Sequence, residues 1–241
     1  MLSGTGTMPG RKPPVPVLIS AEHASCSVPD EWAGLFDGHA ELLQSHRGWD
    51  PGTPELAAAL SAAFRVPLLA GEVTRLLVDL NRSSGHRQHF SEFTRALSAA
   101  EQAELVKRYW QPHWSAYREH IERAPSRLVH LACHSFTPIM NGQLRNADIG
   151  LLYDPCRAGE QALARRIAEA IRALRPALKA RMNYPYRGTA NGMGQQHRRW
   201  FPESRLLTLE LEINTRLLER PDWSAVLETV VEACVRAVRR A

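Results

Sequence analysis

The chain has 241 residues, a formal net charge of +5 and 44% hydrophobic residues, which fits one α/β domain or at most two small ones with a substantial core. No apolar run approaches the roughly 20 residues needed to cross a bilayer, so no membrane span is expected. The basic residues lie on helix faces or singly in loops, not in a block with interleaved aromatics, which argues against a nucleic-acid surface and leaves room for small anionic substrates.

Residues 1–14 carry two basic residues but no apolar core of a secretory signal, and read as a disordered lead-in. From there "VPVLISA" (15–21) reads as a first strand, and "DEWAGL", with Asp30 as its cap, as a short helix. "TPELAAALSAAF" (53–64) is a helix by composition, with Thr53 as the expected cap and Pro54 in its first turn. "VPLLAG" and "TRLLVDLNR" read as strands or strand ends. Residues 98–124 form a long amphipathic helix that Pro112 is expected to bend. "LVHLACHSF" (128–136) has the continuous apolar character of a strand covered on both faces. "ADIGLLYD" is a further strand, 157–174 a helix, "LLTLELEIN" (206–214) a late strand, and "SAVLETVVEACVRAVRR" a closing helix. Alternating strands and helices predict a three-layer α/β/α architecture with a central sheet, and residues 15–241 are expected to form a single domain. Cys26, Cys133, Cys156 and Cys234 show no CxxC spacing and suit reduced thiols in a cytoplasmic protein, with Cys133 a small core residue.

Three strands deliver ligand-type side chains near their carboxyl ends, where open α/β sheets hold their ligands. The first gives Glu22 and His23, the middle one His134, and the late one Glu210 and Glu212, two positions apart and so on one face. A turn-rich loop adds His46 and Asp50. Two histidines, one carboxylate and a second carboxylate left free make up the inventory of a catalytic zinc site: three protein ligands, an open position and a general base. No HExxH motif is present. His39, His86, His89, His113, His120 and His130 read as structural or solvated. Arginines form a second set: Arg75, Arg82, Arg145 and Arg187 sit in or beside Gly-, Pro- and Asn-rich segments, where a guanidinium can grip a carboxylate through two parallel hydrogen bonds.

Seven of these segments, "ISAEHAS", "HRGWDPGTPELA", "TRLLVDLNR", "ACHSF", "RNADIGLLYDP", "NYPYRGTANG" and "LELEIN", taken in order from about residue 17 to residue 218, resemble the N-formylglutamate amidohydrolase family. The resemblance implies a zinc exopeptidase-like (phosphorylase/hydrolase-like) fold with a mixed sheet and one zinc per chain. It carries His23 and His134 over as metal ligands. For the third ligand, the carboxypeptidase HxxE spacing falls on Cys26, whereas the related cell-wall amidases place a carboxylate just before the next helix and point to Asp50, with His46 as second choice. It favours Glu212 over Glu210 as general base and matches Asn81–Arg82 to a carboxylate-holding pair. The implied reaction is hydrolysis of N-formyl-L-glutamate to formate and glutamate. Arg82 would then face the oxyanion, while Arg75, Arg145 and Arg187 would hold carboxylates with help from Asn81 and Tyr186. Deacylation of another N-acyl amino acid or peptide-like amide, or ligand binding by an inactive homologue, are the alternatives.

Overall fold

The structure, a computed structural model, describes residues 15–240, so the expected lead-in at 1–14 lies outside the described residues. Six strands build the central sheet: β1 (Val17–Ala21), β2 (Leu68–Ala70), β3 (Leu128–Phe136), β6 (Ile149–Leu152), β7 (Ala180–Met182) and β8 (Leu206–Asn214), in the order β2-β1-β3-β8-β6-β7. All neighbours are parallel except β6 and β8, so the sheet is mixed. A two-stranded hairpin, β4 (Ile139–Met140) with β5 (Gln143–Leu144), follows the end of β3.

Seven α-helices accompany the sheet among the described residues: α1 (Ala40–Gln44), α2 (Thr53–Phe64), α3 (Ala99–Leu105), α4 (Gln111–Arg123), α5 (Ala158–Leu174), α6 (Met193–Trp200) and α7 (Trp223–Val238). Strand alternation decides what they cover. Ile19, Val129, Leu131, Leu207, Leu209 and Leu211 point to one face, where they pack with α2, α5 and α7 in the largest core cluster. Leu18, Leu128 and Leu206 point to the other, under Trp114, Tyr117 and Ile121 of α4 and Met193 of α6. Helices on both faces of one sheet give the expected three layers.

Several local expectations need correction. Residues 74–82 are a chain of turns, not a strand. Their backbone bonds go to Ser27, Gly48 and His89 in three different loops instead of one neighbouring strand. Val73, Leu76, Leu77, Val78 and Leu80 fill a separate cluster with Phe36 and Leu105, which accounts for the apolar run without a sheet partner. The Asp30–Phe36 segment is a 3-10 helix that starts after Pro29, so Asp30 is its first residue and not its cap. Thr53 does not cap α2 either; its hydroxyl donates to the Asp50 carbonyl at 2.7 Å. The long helix runs through Pro112, and its irregularity is a π-helical turn at Val106–Trp110, which lies just ahead of the proline and absorbs its missing N–H.

Candidate metal centre

The carboxyl ends of β1, β3 and β8 open on a cleft of about 420 Å³. His23 follows β1, and His134 lies two residues inside the end of β3. Asp50 comes from the loop before α2, which is tied to the first strand by a hydrogen bond from the Asp50 N–H to the His23 carbonyl, 2.9 Å. One donor atom from each of these three buried residues lies within 4.8 Å of the others. Asp50 Oδ2 is 3.4 Å from His23 Nδ1 and 3.1 Å from His134 Nδ1, so both imidazoles turn the same nitrogen inward.

Their outward nitrogens meet carboxylates. His23 Nε2 lies 2.7 Å from Asp79 Oδ1, and His134 Nε2 lies 2.9 Å from Glu22 Oε2. A carboxylate behind an imidazole orients the ring and favours one tautomer, and each of these two rings has one. Arg75 spans Asp50 and Asp79, with NH1 3.3 Å from the first and NH2 3.0 Å from the second. Its fork is therefore engaged inside the protein, and it holds the ligand loop to the turn that supports His23. Glu22 was visible in the sequence next to His23 and Asp79 two residues before Asn81, but nothing local gave them this task. A carboxylate next to or two residues before a ligand-type residue is the signal they leave.

Electrostatics follow from this crowding of acids and bases. Burial opposes the charge on Asp50, but His23, His134 and Arg75 outweigh it and hold its carboxyl well below the usual carboxylate range. Asp79 behaves likewise, with Arg75 and His23 overriding burial. Burial also disfavours a charged His134, yet the Asp50 and Glu22 carboxylates beside it raise its pKa well above that of free histidine. Glu212 goes the other way: burial pushes it up to about 8, against the pull of His134, and Asp50 and Glu210 add to the rise. It stands directly opposite His134 in the β3–β8 register and opposite Gly150 in the β6–β8 register, and its Oε2 is buried without a hydrogen-bond partner. A side chain at Gly150 would strike the Tyr184 carbonyl, its Cβ only 2.0 Å away. That glycine lets the backbone of Tyr184 pack against β6 beside Glu212.

The remaining expected residues spread along the cleft. Arg82 donates to the carbonyls of Asn81 (3.0 Å) and Asn191 (2.7 Å), and its buried Nε has no acceptor. Asn81 is buried beside His134, its Nδ2 3.4 Å from Nε2. Arg187 and Tyr186 are exposed in the cleft wall. Arg145 sits behind that wall, donating to the Tyr186 hydroxyl at 3.2 Å and stacking over its ring at 5.1 Å. Glu210 lines the cleft one pleat from Glu212, and burial raises its pKa as well. His46 is exposed at the rim, outside the three-residue group. Arg47, not singled out in the sequence, also reaches the cleft, paired with Glu92.

Fold and site define an α/β protein that gathers buried ligand-type side chains at the ends of its central strands. Within that class the chain belongs to the N-formylglutamate amidohydrolase family, whose profile matches residues 15–219. Among solved structures it is similar to a gene product of Agrobacterium tumefaciens at 27% identity, covering 92% of this chain and 89% of that one with a TM-score of 0.76. It is also similar to an N-formylglutamate amidohydrolase from Ralstonia eutropha JMP134 at 19% identity, with 94% of each chain covered and a TM-score of 0.72. No curated protein matches the sequence. Among the described residues no helix is long and apolar enough to cross a membrane.

Proposed function

We propose that this chain is a zinc-dependent amidohydrolase acting on a linear amide, with N-formyl-L-glutamate as substrate and formate and L-glutamate as products. The observation that carries the reading is the convergence of His23, Asp50 and His134 beside a buried glutamate, Glu212, whose Oε2 has no partner. Two imidazoles and one carboxylate are a donor set that suits zinc with an open coordination position. Backing of both imidazoles by carboxylates suits it further. A divalent cation bound there supplies a Lewis acid that polarises the amide carbonyl, acidifies water and offsets the negative charge around Glu212.

The residues of the chain divide the remaining work. Glu212 takes the proton of the attacking water and returns it to the leaving nitrogen, so the breaking C–N bond releases an amine. Arg82, fixed by two backbone carbonyls with its Nε still free, faces the developing oxyanion. Arg187 is exposed in the cleft and forms no salt bridge among the described residues, so it is the arginine open to a substrate carboxylate. Arg145 supports this wall through Tyr186, and Arg75 acts indirectly by holding Asp50 and Asp79. Membership of the family and the fold shared with the Ralstonia protein support the substrate.

The test is a deacylation screen of N-formyl, N-acetyl and N-succinyl amino acids with zinc-loaded and chelator-treated protein. Formate release should be fastest from N-formyl-L-glutamate and vanish on chelation. Cleavage of another acyl group alone would overturn the substrate and keep the chemistry; activity indifferent to chelation would overturn the metal.

A further inference from the structure

Beneath α4 the sheet carries polar side chains where a core normally carries apolar ones. Ser20 of β1, His130 of β3 and Thr208 of β8 lie on three adjacent strands, each 0–1% exposed, and the fully buried Tyr117 of α4 covers them. Buried polar groups are costly unless hydrogen-bonded, and these are bonded to each other. Tyr117 Oη and Thr208 Oγ1 each lie 2.7 Å from His130 Nδ1. Ser20 Oγ lies 2.7 Å from His130 Nε2 and 2.5 Å from Glu22 Oε1.

The donor and acceptor inventory gives this string a direction. A carboxylate only accepts, so the Ser20 hydroxyl donates to Glu22 and its oxygen accepts from His130. That places the imidazole proton of His130 on Nε2 and leaves Nδ1 to accept from Tyr117 or Thr208. Burial lowers the His130 pKa to about 3, consistent with the neutral ring this pattern requires. At the far end, Glu22 Oε2 approaches His134 Nε2 at 2.9 Å, out of line for a full hydrogen bond and with no other donor. The competing group at Nε2 is Asn81 Nδ2, at the longer distance of 3.4 Å. Both nitrogens of His134 thus meet a carboxylate, Asp50 Oδ2 at Nδ1 (3.1 Å) and Glu22 Oε2 at Nε2; with a cation on the Nδ1 side that nitrogen gives its lone pair, and the proton stays on Nε2, where Glu22 is the nearer and charged neighbour.

We propose that Tyr117, His130, Ser20 and Glu22 form a one-way hydrogen-bond string that fixes the His134 proton on Nε2 and so presents Nδ1 to the metal. Tyr117, His130 and Ser20 are then positioning residues that act through Glu22 from beneath the sheet surface. The inference rests on the metal reading above.

The experiment uses the full chain, labelled with ¹⁵N, and reads two quantities: zinc affinity by chelator competition, and the imidazole nitrogen signals in long-range ¹H–¹⁵N spectra of the zinc-loaded protein. In the wild type His130 should be neutral with Nε2–H, and His134 should show a metal-shifted Nδ1 with Nε2–H. Ser20→Ala should lower zinc affinity about 10-fold and shift the His134 Nε2 signal, as loss of an outer ligand contact does. Tyr117→Phe keeps the ring packing, should alter the His130 signals and should cost a smaller factor; it keeps the test open if Ser20→Ala fails to fold. Leu209→Ala, on the opposite face, controls for stability alone and should leave zinc affinity unchanged. Wild-type affinity and unshifted His134 signals in both string variants would overturn the inference, as would a His130 carrying its proton on Nδ1. A wild type that binds no zinc would overturn the metal reading itself, before any variant is compared.

Discussion

The two faces of the three central strands are both buried and are written in different chemistry. Towards α2, α5 and α7 the strands present Ile19, Leu131, Cys133, Leu209, Leu211 and Ile213, all 0–1% exposed. Towards α4 and the cleft the alternate positions include Ser20, Glu22, His130, His134, Thr208 and Glu212, at most 4% exposed, with Glu210 alone among the polar ones partly exposed. Burial therefore does not tell them apart. Each large apolar side chain on the first face contributes roughly 1.5–3 kcal/mol by leaving water. The second face desolvates carboxylates and imidazoles, which is unfavourable unless every group finds a partner. The second face also changes along its length, from Leu18, Leu128 and Leu206 at the strand starts to the ligand-type residues at their ends. The first face holds the sheet; the second, towards the carboxyl ends, carries the candidate site.

The sharpest break in that comparison comes from the proposed metal ligands. His23→Ala or His134→Ala should abolish most zinc binding and leave a folded protein, by circular dichroism and metal analysis; full zinc occupancy in both would place the site elsewhere. Glu212→Gln comes next. It should keep zinc while turnover falls by roughly 100-fold or more, and Glu210→Gln should lose much less. Equal losses would leave neither glutamate as the sole base. On the apolar face the sign of the outcome reverses: Leu209→Ala should cost about 2–5 kcal/mol in denaturant unfolding. Its folded fraction should turn over normally, and a lowered kcat there would mean that the two faces are coupled.

A smaller effect separates the faces through pH. Burial lifts Glu212 from 4.5 to about 8 in the metal-free fold. Between those values the unfolded chain releases a proton that the folded chain keeps, so the stability of the metal-free protein falls as pH rises through that window. Glu212→Gln removes this loss. It should be more stable than wild type by roughly a few kcal/mol at pH 8 and about equal near pH 4.5. A difference that stays flat across the window would show that Glu212 is ionised in the fold. The smallest change concerns the cleft wall. Arg187→Lys keeps the charge and loses the fork, and should raise KM about 10-fold with kcat nearly constant.

Much of the fold could be read from local patterns. The run 128–136 and the late strand 206–214 match β3 and β8 residue for residue, the first through its apolar character and the second through its two-residue alternation of apolar and polar side chains. The alanine-rich segment 53–64 matches α2, where helix propensity and amphipathic spacing agree. The failures came where distant partners override local preference. The run 74–82 has the composition of a strand, but three separate loops take its backbone bonds. The helix α6 is amphipathic but short and mostly polar, and the strands of the β4–β5 hairpin are two residues each, so neither carried enough apolar residues to announce itself.

For the site, the sequence by itself determined which side chains stand at the carboxyl ends of strands and that Glu210 and Glu212 share a face, since both follow from a two-residue period along one strand. Resemblance put Asp50 ahead of His46, four residues apart in one loop, but no local pattern separates the two. In the tertiary structure a backbone bond to the His23 carbonyl holds Asp50 beside the two imidazoles, while His46 lies at the rim. The same holds for Arg75, whose expected substrate contact is replaced by Asp50 and Asp79, and for Glu22, which reaches His134 only because β1 and β3 are neighbours. Side-chain direction within an element is a local property of the chain. Distance between elements is set by packing, and the chemistry of this cleft depends on those distances.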